Sequence, residues 1–357
     1  MLGVTKYGNN GLFSKNSFPA NLSLNWRDYL ACLANHSLAK KTWSTYKTAG
    51  KLLVQCQNQT GESMALPLDD NKVLFYVAWL FSRGLQSRTV STYLSGLRQV
   101  HLAKGIIIPS LRPDLVKQLL TGAANLDRIR ASLNEKPTRL PMTATMMKLF
   151  KQEIQDSADC RERKRLVWAI ATLLFMGAFR LHELLARTEN VFDPNFTLLT
   201  RDLQVKTIKI NNETIKIIQV KLKSPKTDRI GVDTIVDVYE YSGPLCPVKA
   251  LLKWQAVASH RTSNSPAFRA EQGKPLTGAR FNKYLKTYLG KYLDHKVGKI
   301  TSHSFRAGMA SLLGTLGFTD EEIQAVGRWS SRAFINYLKL PRTHRLTKVR
   351  KIGKLSL

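Results

Sequence analysis

Between His303 and Tyr337 the chain collects residue types suited to breaking a phosphodiester. His303-Ser304-Phe305-Arg306 sets an imidazole and a guanidinium three residues apart, a spacing that shares one helical face. A helical run follows, then Gly327-Arg328-Trp329-Ser330-Ser331 and, eight residues after the tryptophan, Tyr337. A phenol supplies a nucleophile, an imidazole carries its proton, and cationic and indole N–H donors stabilise charge on phosphate oxygens. The acidic residues are too scattered for a two-metal nuclease site, and the sequence offers no ligand cluster. Metal-free chemistry with no cofactor is therefore the expectation.

Composition points to the same substrate. Lys and Arg number 55 against 25 Asp and Glu, a formal charge of +30 spread over the whole length. Such a field attracts a polyanion, and nucleic acid fits it better than an acidic protein. With 357 residues, 43% of them hydrophobic, the chain exceeds one ordinary core, so two domains are expected. No run of about 18 apolar residues, lipidation motif or signal peptide is apparent, which argues against a membrane partner. Cys32, Cys56, Cys160 and Cys246 are far apart without a CxxC pair. Reduced, mostly buried thiols are expected of them.

The elements that must position these residues are mainly helices. Residues 1–22 are rich in Gly, Asn and Ser and read as a flexible start. Residues 23–127 read as a helical bundle with helices over Trp26–His36, Lys40–Gln57, Lys72–Ser82, Ser87–Ala103 and Pro113–Asn125. Arg88 and Arg98 point outward on the fourth of these. Residues 128–142 carry Pro137 and Pro141 without a periodic pattern and read as a linker. A second domain over 143–342 opens with Thr143 as an N-cap. A helix to about Gln155, an apolar helix from Arg161 to Phe175 and a break at Gly177 follow. Strands are expected at Thr207–Ile210, Thr214–Val220 and Ile230–Val238, the first two joined at Asn211-Asn212. Helices near Pro247–Ala258 and Gly278–Tyr292 come next. Thr319-Asp320-Glu321-Glu322 reads as a capping box, and residues 343–357 form a basic tail.

Three ordered segments resemble one family. Gly177-Ala178-Phe179-Arg180-Leu181-His182-Glu183-Leu184 resembles the first arginine box of the tyrosine recombinases. His303-Ser304-Phe305-Arg306 resembles their HxxR box, and Gly327-Arg328-Trp329 with Tyr337 resembles the segment ending in the nucleophile. The wording Gly-Arg-Trp-Ser-Ser, followed after Tyr337 by a basic residue and Pro, is most similar to recombinases of eukaryotic mobile elements. These are the Crypton transposons and the DIRS and Ngaro retroelements. The resemblance spans about residues 25 to 342.

That resemblance implies an N-terminal all-α core-binding bundle and an α+β catalytic domain, mostly helical with a small antiparallel sheet. It implies that Tyr337 attacks the scissile phosphate and forms a 3′-phosphotyrosyl link. Arg180 and Arg306 would clamp the non-bridging oxygens, His303 would accept the tyrosine proton or bond the phosphate, and Trp329 would donate an indole N–H. A lysine on the turn between the second and third strands would protonate the leaving 5′-oxygen. Lys226 matches best, with Lys221 and Lys223 close by. Glu183 reads as a carboxylate orienting an arginine. Tyr284, Tyr288 and Tyr292 have core-like helical spacing, and the remaining six histidines carry no motif. Lys41, Arg88, Arg98 and Arg139 are the candidate DNA contacts.

The implied partner is double-stranded DNA, both element termini and a target site, bound by a homotetramer working through a Holliday junction. The nucleus of a eukaryotic host is the implied location. Two alternatives use the same residues differently: relaxation of supercoils in the manner of a type IB topoisomerase, and a domesticated DNA-binding regulator. The full set of catalytic candidates speaks against the second.

Overall fold

The computed structural model describes residues 32–34, 36–38, 40–106, 113–133, 140–190, 192–223, 234–258, 262–270, 273–290, 300–329 and 331–338. The chain divides into two compact units, Met1–Glu135 and Lys136–Leu357.

The first unit is helical. Its described helices are α1 (Lys40–Thr60), α2 (Asp70–Ser82), α3 (Ser87–Ala103) and α4 (Pro113–Leu133). Ala49, Leu53 and Cys56 of α1 meet Tyr76, Val77 and Leu80 of α2 and Val90 and Leu97 of α3 in one apolar core. Asp69 caps α2 by accepting the Lys72 N–H at 2.8 Å. Of the helix expected over Trp26–His36, only Cys32–Ala34 and His36 are described, and they are helical. Helix α4 runs on to Leu133 rather than stopping at Asn125. Arg128–Leu133, expected in the linker, contains neither Gly nor Pro and therefore nothing to end the helix.

His101 ties the bundle together. Its ring is 3% exposed, and its Nε2 accepts the Leu68 N–H at 3.1 Å. That bond puts the proton of the neutral ring on Nδ1, which donates to the Leu97 carbonyl at 2.8 Å. Replacing His101 by Phe leaves a buried amide without its acceptor. We expect a loss of about 1–3 kcal/mol in the stability of the first unit. Urea unfolding and amide exchange at Leu68 in the intact chain check this. His101→Gln, which keeps an acceptor, should lose less.

In the second unit, α5 (Ala144–Asp156) is capped by Thr143, which accepts the Met146 N–H at 3.1 Å. Met142, expected to end the linker, is instead fully buried, and its N–H donates to the Ser304 carbonyl at 2.8 Å. Apolar helix α6 (Arg161–Met176) runs through the core with Val167, Ile170, Leu173, Leu174 and Phe175 buried. The short α7 (Leu181–Leu184) follows.

Strands β1 (Leu203–Ile210), β2 (Glu213–Leu222) and β3 (Thr234–Tyr239) form an antiparallel sheet in that order. Asn211 and Asn212 sit at φ 48° and 66°, the left-handed pair that a two-residue hairpin turn requires. β1 starts earlier than expected. Residues 230–233 of the expected third strand lie outside the described residues, and its described part runs one residue further. Ile218, Val220 and Leu222 line one side of β2 and join the core with α8 (Pro247–Gln255).

Helix α9 (Gly278–Leu289) carries Tyr284 and Tyr288. The closing elements are α10 (Ser302–Leu316), α11 (Asp320–Gly327) and a 3-10 helix over Arg332–Tyr337. The capping box of α11 is complete: Thr319 Oγ1 accepts the Glu322 N–H at 3.2 Å, and Glu322 Oε2 accepts the Thr319 N–H at 2.8 Å. A smaller apolar cluster, including Met309, Leu313, Ile323, Trp329 and Phe334, holds these three elements together. Of the cysteines, Cys56 and Cys246 are buried whereas Cys160 is exposed. Among the described residues no helix is long and apolar enough to cross a membrane.

Candidate active site

The site is built on two turns of the same design. Helix α6 ends at Gly177, and α11 ends in Gly327. Each glycine is followed by a left-handed residue, Ala178 at φ 45° and Arg328 at φ 53°, and then by an aromatic side chain that folds back over it. A Cβ on Gly177 would lie 2.2 Å from the Phe179 ring, and one on Gly327 would lie 1.6 Å from the Trp329 ring. Glycine is therefore required at both positions. Left-handed backbone costs a residue with a Cβ roughly 1–2 kcal/mol, so both turns need support from elsewhere.

Arginines give that support. Arg306, in the second turn of α10 and 3% exposed, donates from Nη1 to the Ala178 carbonyl and from Nη2 to the Gly327 carbonyl. One guanidinium thus bridges the two turns, with the Trp329 ring 4.5 Å beneath it. Arg328 crosses the other way. Its Nη1 donates to the Gly177 carbonyl at 3.0 Å, its Nη2 lies 3.3 Å from Glu183 Oε2, and it stacks on Phe179 at 4.7 Å. Burial lowers the Arg328 pKa and the neighbouring Arg180 lowers it further, while Glu183 acts in the opposite direction.

Arg180 precedes α7 and is held at both ends by one carboxylate. Its N–H donates to Glu183 Oε2 at 2.8 Å, and its Nη1 donates to Glu183 Oε1 at 2.7 Å. Glu183 is thus bound to two arginines, Arg180 and Arg328. Two guanidinium groups, Arg180 and Arg328, share this carboxylate, and Arg306 adds a third on the neighbouring carbonyls, so the described cluster holds three positive charges against one negative. Fixed donors with surplus positive charge suit a dianionic phosphorane better than a neutral ligand.

His303 is exposed in the first turn of α10, one turn before Arg306. Trp329 is nearly buried, and its ring meets Phe334 of the 3-10 helix at 5.6 Å. That helix packs on α10 and α11, and Tyr337 is its last residue. The Tyr337 side chain lies outside the described residues. So do Lys226, Arg139 and the side chain of Lys41, whose backbone lies in the first turn of α1. Arg88 and Arg98 are exposed on α3, about 80° apart around its axis.

The lysines flanking the β2–β3 connection differ in their surroundings. Lys223 is largely buried, 3.0 Å from Asp202 Oδ2 and donating to the Pro194 carbonyl at 2.8 Å. Asp202 also accepts the Leu199 N–H at 2.9 Å. Lys221 is exposed on β2. Among the other tyrosines, Tyr288 donates to Asp159, and burial together with that carboxylate raises its pKa well above the usual phenol range. Tyr284 accepts from Arg280 Nε at 3.1 Å. Tyr292 lies outside the described residues.

Sequence reasoning passed over two participants, Arg328 and Asp202. The repeated Gly-x-aromatic wording of 177–179 and 327–329 was a usable signal for the first. The second had none.

No protein-family model matches this sequence, and no curated protein does. Solved structures match along most of its length. The integrase of transposon Tn1549, solved with transposon right-end DNA, is 13% identical, with a TM-score of 0.56 over 92% of this chain and 99% of that one. The XerH site-specific recombinase bound to a palindromic difH substrate is 13% identical, with a TM-score of 0.57 over 92% of this chain and 85% of its own. Lambda integrase, as a dimer on a COC′ core site, is 16% identical, with a TM-score of 0.52 over 88% of this chain and 76% of its own. At such identities the likeness is one of architecture, and the chain has the fold of the tyrosine recombinases, mostly helical with a small antiparallel sheet.

Proposed function

We propose that this protein is a site-specific DNA recombinase that cuts and rejoins DNA through Tyr337. The observation that carries the reading is the bridging of the Gly177 and Gly327 turns by Arg306. It gathers Arg180, Arg306 and Trp329 with the helix that ends in Tyr337. The +30 charge and the DNA-bound structures that share the fold support DNA as substrate.

In this reading the Tyr337 oxygen attacks the scissile phosphorus and the bond to the 5′-oxygen breaks. His303 takes the phenolic proton, and Lys226 gives one to the departing 5′-oxygen. Arg180 meets a non-bridging oxygen. Arg306 lies deeper and neutralises charge on the phosphorane at short range while holding both turns. Trp329 keeps that guanidinium in place and offers its indole N–H. One phosphodiester is exchanged for another, so no external energy source is consumed, and a 5′-hydroxyl from a second strand reverses the step. The burial of Lys223 against Asp202 favours Lys226 as the acid. Arg88 and Arg98, with Lys41 and Arg139, contribute backbone contacts. Integration and excision of a mobile element of the Crypton, DIRS or Ngaro kind, by a tetramer in a eukaryotic nucleus, is the corresponding biological role.

The test uses a pool of duplexes of randomised sequence, each carrying single nicks, incubated with the full chain in EDTA. A nick next to the cut lets the short 5′-hydroxyl fragment diffuse away and traps the covalent form. We expect a denaturant-stable adduct, mapped by peptide mass to Tyr337. Tight binding with no adduct on any member of the pool would overturn the reading in favour of a DNA-binding regulator.

A further inference from the structure

We propose that Arg328 is a positioning residue, acting through Glu183 on Arg180 and through the Gly177 carbonyl on the turn facing its own. The inference rests on the recombinase reading above and goes beyond it, because Arg328 has no role among the residues that touch the phosphate there.

The position is an unusual one for an arginine. It follows the last helical residue of α11 in left-handed conformation, where glycine is the residue of least strain. Cap geometry alone therefore favours Gly, and the side chain must account for the Arg. That side chain is committed in three ways: to the Gly177 carbonyl, to Glu183 and to the Phe179 ring. These three partners all belong to the stretch that delivers Arg180. Glu183 in turn holds Arg180 by its main chain and its guanidinium. The backbone of Arg328 continues directly into Trp329 and the helix that ends in Tyr337. One residue thereby couples the segment carrying the nucleophile to the segment carrying a phosphate-binding arginine. Because Glu183 serves both arginines, a shift of the α11 turn is passed on to Arg180.

Arg306 supports the same pair of turns from α10 through the Ala178 and Gly327 carbonyls, whereas Arg180 is held by Glu183. The two arginines thus divide the work. Arg306 holds the carbonyls together, and Arg328 sets the carboxylate.

The test compares the full chain with Arg328→Gly, Arg328→Lys and Glu183→Gln. Substrates are the nicked duplex with an ordinary scissile phosphate and the same duplex with a methylphosphonate there. A methylphosphonate lacks the charged oxygen that an arginine would stabilise. On the ordinary phosphate we expect Arg328→Gly to slow adduct formation about 10- to 100-fold, as loss of an orienting partner commonly does. Arg328→Lys, able to reach one acceptor, should recover part of that loss. On the methylphosphonate the gap between wild type and Arg328→Gly should close, and Glu183→Gln should behave likewise. In the free proteins, exchange of the Arg180 amide should rise in Arg328→Gly while the melting temperature holds or increases.

Equal losses on both substrates would mean that Arg328 is merely structural and would overturn the proposal. So would a wild-type rate in Arg328→Gly. If wild type forms no adduct on either duplex, the recombinase reading fails first. The exchange of the Arg180 amide then still reports whether Arg328 sets Glu183, and an unchanged rate would sink the coupling on its own.

Discussion

Tyr337→Phe is expected to bind DNA as tightly as wild type and to form no covalent adduct, while Tyr284→Phe forms it at the wild-type rate. The substitution removes one oxygen atom and leaves the ring, so the 3-10 helix and its packing through Phe334 should persist. On the proposed mechanism, loss of the nucleophile is not a graded effect. A decrease on the order of 10⁴-fold or more is in keeping with deletion of a nucleophile elsewhere. The competing phenols are poorly placed for the task. Tyr288 lies in the core and donates its proton to Asp159, so its oxygen is engaged and its pKa raised. Tyr284 accepts a bond from Arg280, and its ring lies under Arg163. Denaturing gels with end-labelled nicked duplexes give the adduct, and anisotropy at matched salt gives the affinity. An adduct that survives Tyr337→Phe would move the nucleophile to another tyrosine and unseat the central assignment.

What the sequence disclosed follows the range over which each interaction acts. The bounds of α3, the caps at Thr143 and Thr319 and the Asn211-Asn212 turn are all set by neighbours a few residues apart, and each was legible. The three boxes carry the architecture because they are short local strings. Arg328 went unassigned because its carboxylate partner lies 145 residues away, and only the fold brings Glu183 to it. Asp202 is a similar case: a buried carboxylate meets Lys223 only once β1 and β2 have paired. The missed extension of α4 has the opposite origin. Arg128–Leu133 lacks a breaker, and the prolines that suggested a linker come later in the chain. Met142 shows the limit from the other side, since nothing local says that a residue beside Pro141 will be sealed against the first turn of α10.

The second large effect concerns the leaving group, and it separates the lysines that proximity in sequence cannot. Lys226→Ala is expected to reduce cleavage about 10²- to 10⁴-fold, the range over which a positioned proton donor contributes. The cause is the alkoxide, which leaves poorly without a proton. A thiolate does not share that difficulty, because a thiol has a pKa near 8.5 and departs unprotonated at neutral pH. On a duplex whose scissile 5′-oxygen is replaced by sulfur, Lys226→Ala should therefore cleave at nearly the wild-type rate. Lys223→Ala should behave differently. It leaves Asp202 buried without its cation, so the expected consequence is destabilisation of the hairpin that β1 and β2 form. Any loss of cleavage that follows should be the same with oxygen and with sulfur. Lys221→Ala, changing an exposed strand residue, should alter neither ratio. If sulfur rescues Lys223→Ala and leaves Lys226→Ala impaired, the acid is Lys223 and its pairing with Asp202 must open during the reaction. If sulfur rescues none of the three, the proton comes from elsewhere in the site, and His303 becomes the group to examine, since an imidazole that has received the tyrosine proton is itself an acid.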